Sequence, residues 1–111
     1  MAEKWNLRRE GVHTYWRDAV DADGTAWELK ATMAETASGR PGRFRVRSHA
    51  HDRLTDAGGW YGFAVYVVVG NGIRVRAYRA IPAVRLPVSA WYGAGGTDEH
   101  DHTKIAIGDL F

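Results

Sequence analysis

The chain has 111 residues, with 15 basic and 13 acidic side chains for a net charge of +2, 45% hydrophobic residues and no cysteine. A chain this long buries roughly two-thirds of its unfolded surface, so a single domain over residues 1–111 with one core is expected. Disulfides and thiolate metal sites are excluded. MAEKWNLRRE lacks the apolar stretch of a secretory signal, and the longest apolar run, Phe63 to Val69, is too short to span a bilayer. A soluble, cytoplasmic protein with no membrane segment is therefore the default expectation.

Residues 1–10 predict a short, frayed helical turn. GVHTYWRDAV (11–20) alternates and carries Val, Thr, Tyr and Trp, which predicts a strand. Ala22-Asp23-Gly24 is a tight-turn signal, and TAWELKATM (25–33) is the returning strand. ETASGRPGR (35–43) predicts a mobile Gly/Pro/Ser loop. FRVRSHAHDRLTDAGG offers Ser48 as a helix N-cap, a helical run to about Ala57 and a Gly58-Gly59 stop. WYGFAVYVVV (60–69) predicts a buried central strand, Asn71-Gly72 a hairpin turn, and IRVRAYRAI (73–81) the return. Pro82 and Pro87 punctuate a short helix or turn, residues 93–96 form a loop, and KIAIGDLF (104–111) reads as a last strand. The class is α+β: a small mixed sheet with at least one flanking helix.

Twelve of the 15 basic residues are Arg; only Lys4, Lys30 and Lys104 are Lys. The planar guanidinium fork suits phosphate oxygens, although a GC-rich genome gives the same bias. Arg40, Arg43, Arg45, Arg47 and Arg53 crowd one window, a nucleic-acid hint on a nearly neutral chain. If extended, Arg43, Arg45 and Arg47 share one face, where they either grip phosphate or form surface ion pairs.

The first hairpin carries the chemistry. Glu28 and Lys30 are two apart and so point the same way. With a three-residue loop and Gly24 left-handed, Asp21 pairs with Thr25 and Asp18 falls opposite Glu28, their Cβ atoms about 5 Å apart. A two-residue turn shifts the register by one and separates them. In that case Asp21, otherwise a turn residue like Asp23, becomes the candidate acid. Two carboxylates that close repel each other and call for a cation. A hard divalent ion such as Mg²⁺, with Mn²⁺ as substitute, takes one or two carboxylates, keeps waters and accepts phosphate oxygens. Lys30 beside them is placed to orient or deprotonate a water, or to steady transition-state charge. The bland alternative is a solvated strand face.

Asp18, nine intervening residues, then Glu28-Leu29-Lys30 resembles the D-(x)n-E-x-K signature of the PD-(D/E)XK nuclease superfamily, which includes restriction endonucleases and archaeal Holliday-junction resolvases. The resemblance covers about residues 11 to 80, taking in the following helix and apolar strand. It implies a restriction-endonuclease-like core and a Mg²⁺-dependent endodeoxyribonuclease. Asp18 and Glu28 would hold the metal, and Asp18, Glu28 and Lys30 would be catalytic. Arg17 stands where the family has proline. The usual long N-terminal helix, sometimes bearing another Glu, is reduced to about ten residues, with Glu10 as its one substitute. The family's polar residue on the next helix is matched by His49 or His51, which join Arg43, Arg45 and Arg47 as nucleic-acid-binding candidates. Cutting both strands, or a four-way junction, calls for a homodimer, with 60–69, 73–81 and Ile105 to Phe111 as candidate surfaces.

Two further features have competing readings. The pairs His49/His51 and His100/His102 suggest zinc only weakly, since a zinc site wants three or four convergent ligands. Trp16, Trp27, Trp60, Tyr61, Tyr66 and Trp91 are either core residues or stacking platforms for unpaired bases, Trp91 and Tyr92 being the ones expected to be exposed. The second reading is accordingly a non-catalytic nucleic-acid-binding or oligomerising module. The third is a structural subunit whose sheet tolerates exposed acids.

Overall fold

The computed structural model describes residues 2–9, 17–88, 90–91 and 101–111. In chain order the elements are a 3-10 turn (Ala2–Trp5), β1 (Arg8–Arg9), β2 (Ala19–Val20), β3 (Ala26–Met33) and β4 (Arg43–Arg47). Helix α1 (Ser48–Asp56), β5 (Trp60–Val69) and β6 (Gly72–Pro82) follow, then a 3-10 turn (Ala83–Arg85), β7 (His102–Ala106) and a last 3-10 turn (Ile107–Asp109). Five strands form one mixed sheet in the order β1-β2-β3-β5-β6, and β4 and β7 form a separate antiparallel ribbon. The fold is α+β, as the element pattern predicts. Expected residues His13, Trp16, Glu10, Tyr92 and His100 lie outside the described residues.

β3 and β5 run parallel, which requires a crossover, supplied by β4 and α1. The helix stops where the sequence says. Ala57, Gly58 and Gly59 donate backbone hydrogen bonds to the carbonyls of Arg53, Thr55 and Leu54, and Gly58 takes φ +67°. Its start differs from expectation. Arg47, not Ser48, is the N-cap residue and provides no side-chain cap. Ser48 is already helical, and its N–H donates to the Asp101 carbonyl at 2.8 Å, so a distant segment does the capping.

Strand alternation gives the main sheet two different faces. One face presents Ala26, Tyr61, Phe63, Val65 and Ile81 to Leu54 of α1, to Phe44, Val46 and Ile105 of the ribbon, and to Leu86 and Leu110. Phe44 and Phe63 meet edge-to-face with centroids 4.8 Å apart. Burying side chains of this size contributes about 1.5–3 kcal/mol each. The other face carries a row of aromatics: Trp60 stacks on Trp27 at 5.6 Å, Trp27 meets Trp5 at 5.5 Å, and Trp5 meets Tyr78 edge-on at 5.6 Å. Gly62 makes room for this row, since a Cβ there would lie 2.6 Å from Trp5 Cζ3.

Three local expectations are corrected. The segment 35–41 is an ordered turn: Glu35 bridges Pro41, and Thr36 N–H donates to the Arg40 carbonyl at 2.7 Å. The last strand is His102–Ala106 rather than 104–111, because the chain turns into a 3-10 segment at Ile107. The 60–69 strand is buried only in its first part; Val68 and Val69 are exposed at the hairpin tip. Among the described residues no helix is long and apolar enough to cross a membrane.

Candidate active site

The first hairpin adopts the three-residue register. Gly24 takes φ +80°, Asp21 N–H donates to the Thr25 carbonyl at 3.1 Å, and Ala19 and Val20 pair with Trp27 and Ala26. That register projects Asp18 opposite Glu28. The Asp21 carboxylate belongs to the turn: Oδ1 accepts from the backbone N–H of Asp23 and Thr25, and Oδ2 from Trp27 Nε1 at 3.1 Å. The indole hydrogen bond, foremost, holds its pKa below the usual carboxylate value.

At Asp18 the ladder turns irregular, and this irregularity builds the site. Asp18 N–H donates to the Trp27 carbonyl at 2.8 Å. β2 starts only at Ala19, so the next donor along β3, the Leu29 N–H, is met by the Asp18 side chain instead of a strand carbonyl. Oδ2 accepts it at 2.9 Å. The short polar side chain thus satisfies the backbone and is fixed by it.

The Glu28 carboxyl lies against that of Asp18. Burial pushes its pKa up, a hydrogen bond to the Asp18 carboxyl and that neighbour's charge push it further, and Lys30 opposes both; the result is about 8. In the absence of a cation Glu28 therefore keeps its proton near pH 7. Lys30 follows on the same side of β3, and a cleft of about 320 Å³ is lined by Glu28, Lys30, Arg45, Val46, Arg47, Ala50 and Tyr61. Strand β4 provides its cationic wall: Phe44 and Val46 are buried, while Arg43, Arg45 and Arg47 face outward together. The cleft therefore holds the Glu28 carboxyl, which meets that of Asp18, together with an ammonium and two guanidinium groups. A phosphodiester fits that chemistry. A family model for the PD-(D/E)XK nuclease superfamily domain matches residues 1–111.

The chain belongs to the PD-(D/E)XK nuclease superfamily. No curated protein is significantly similar to it.

The remaining candidates of this superfamily member fall elsewhere. Arg43 lines the neighbouring groove. His49 is exposed on α1. His51 turns toward the core, where its ring stacks on Tyr61 at 5.8 Å, lies 5.6 Å from the Trp91 ring, and has Nδ1 2.9 Å from the Tyr61 hydroxyl. Burial pushes its pKa down, so the ring is neutral near pH 7. Trp91 is half-buried against the core, not exposed as its Gly-rich neighbours suggest. Trp27 and Tyr61 are buried and Trp60 is stacked on Trp27, which makes them packing residues rather than platforms for bases. Among the described residues no three His, Asp or Glu side chains cluster as a metal site.

Tyr61 is the residue that sequence reasoning did not single out for this site. It is the β5 partner of Glu28 in the parallel register, and its phenol pKa is pushed up by burial and then by the Glu28 charge. No local pattern marks it, because parallel register is chosen by packing across the crossover.

Proposed function

We propose that this protein is a divalent-metal-dependent endodeoxyribonuclease that acts in the cytoplasm on DNA, with branched or structured DNA as a candidate substrate. The observation that carries the reading is the contact between the Asp18 and Glu28 carboxyls, one of them pushed up to about 8, beside Lys30. Two close carboxyls, with Glu28 pushed up by burial and by its acidic neighbour, match a hard divalent ion such as Mg²⁺ or Mn²⁺, which prefers oxygen ligands and retains waters. Asp18 and Glu28 would hold it. Bound there, it lowers the pKa of water and polarises a phosphoryl oxygen.

The chain's own residues do the rest. The Leu29 N–H fixes the Asp18 carboxylate, so the acid pair is preorganised. Lys30 donates a hydrogen bond to the attacking water and steadies negative charge as the new P–O bond forms and the ester P–O bond breaks. Arg45 and Arg47 neutralise the phosphate held in the cleft. One such site nicks one strand. Cutting both strands is proposed to use a two-fold homodimer, for which the β6 edge and the exposed Val68, Val69 and Ile73 offer a surface.

The test is nicking of plasmid and branched DNA with Mg²⁺ or Mn²⁺. Cleavage by wild type, its loss in Lys30→Ala and retained DNA affinity in that variant support the reading. Because only two carboxylates meet here among the described residues, a non-catalytic nucleic-acid-binding module is the second reading. DNA binding without cutting under either metal selects it.

A further inference from the structure

We infer that the catalytic cleft continues into a backbone-phosphate subsite on the β4–β7 ribbon. This subsite grips the substrate strand beyond the cleaved bond, on one side only. The inference rests on the nuclease reading for its cleaved bond and on a separate groove for its contacts. That groove has a volume of about 730 Å³ and is lined by Arg40, Arg43, Arg45 and Lys104, with the hydroxyl residues Thr32, Thr36 and Ser38. No acid lines it.

The two cavities share Arg45. Two strands run from one into the other. Along β3, Glu28 and Lys30 lie at the cleft and Thr32, on the same face, at the groove; along β4, Arg47 lies at the cleft and Arg43 at the groove. Same-face neighbours on a strand are about 6.7 Å apart, comparable to the spacing of successive phosphates on one nucleic-acid chain.

Register supplies the independent argument. Arg45 pairs directly across the ribbon with Lys104, and both side chains are exposed. Like charges directly opposite one another destabilise a sheet. Among the described residues no carboxylate is paired with Arg40, Arg43, Arg45 or Lys104. A ribbon that keeps its cations opposed, with no carboxylate paired to them among the described residues, is suited to a polyanion. Its contacts are to phosphate and not to base edges, so the subsite is indifferent to sequence.

The experiment measures binding of single-stranded DNA oligonucleotides to the wild-type chain in EDTA, where no cleavage occurs, as a function of salt. The comparison is with the Arg40→Ala/Arg43→Ala/Lys104→Ala variant. All three side chains are exposed, and a melting curve confirms the fold. Loss of three phosphate contacts makes the slope of log K against log salt shallower by about 2, from about 0.7 per contact on a single strand. The Arg40→Lys/Arg43→Lys/Lys104→Arg variant keeps the wild-type slope. An unchanged slope in the alanine variant, with wild type binding normally, overturns the subsite and leaves the nuclease reading intact. The expected slope change in a protein that cuts nothing under Mg²⁺ or Mn²⁺ overturns the nuclease reading and keeps the groove as a nucleic-acid contact. Absence of any binding at low salt overturns the subsite and leaves the nuclease reading to the nicking assay.

Discussion

Replacing Glu28 by Gln tests the acid pair without any nucleic acid present. In the folded chain the Glu28 pKa is raised from 4.5 to about 8. Between those values the folded state holds a proton that the unfolded state has released. The unfolded state therefore binds fewer protons, and stability falls as pH rises through this window before levelling off above it. The full shift corresponds to at most about 5 kcal/mol, at 1.36 kcal/mol per pH unit. Solvent reaches part of the side chain, so about 2 kcal/mol is the expected size. Glu28→Gln keeps the shape and the hydrogen bond but carries no such penalty. In EDTA, wild type and variant should melt within a degree or two of one another at about pH 5, where both carry a neutral group. At about pH 8.5 the variant should melt roughly 8 °C higher. His51 acts in the opposite direction: its lowered pKa costs stability as pH falls below its unfolded value. It is common to both proteins and cancels in the difference. Added Mg²⁺ at the higher pH should close the gap by stabilising wild type selectively through mass action. A difference between the two proteins that stays constant with pH would refute the raised Glu28 pKa.

Two substitutions probe the packing behind the site. Tyr61→Phe deletes the hydroxyl that meets His51 at 2.9 Å and should lower stability by about 1 kcal/mol in urea unfolding, since a half-buried partner is left unmatched; an unchanged midpoint would show that the hydroxyl contributes nothing to stability. Gly62→Ala drives a methyl against the Trp5 ring and Leu29 Cδ2 and should cost about 1–3 kcal/mol with a red shift in tryptophan emission. In a Trp5→Ala background the same change should cost much less, and an equal cost in both backgrounds would place the strain elsewhere.

By itself the sequence determined the parts whose signals are local. Ala22-Asp23-Gly24 sets a three-residue loop, the loop sets the pairing of Asp21 with Thr25, and alternation then puts Asp18, Glu28 and Lys30 on one side of the hairpin. The Gly58-Gly59 stop and the Asn71-Gly72 turn are equally short-range, because a left-handed or tight backbone is a property of a few residues. Tertiary structure alone decided which distant segments meet. Arg43–Arg47 becomes a strand because Phe44 and Val46 bury against the main sheet, with Ile105 beside Phe44 across the ribbon. That packing, and not any propensity of FRVR, sets Lys104 across from Arg45. It also caps α1 with the Asp101 carbonyl in place of a Ser48 side chain. The parallel register that lays Tyr61 beside Glu28 has the same origin. Turn geometry fixes neighbours a few residues apart, whereas pairings dozens of residues apart are selected by which apolar faces can be buried together.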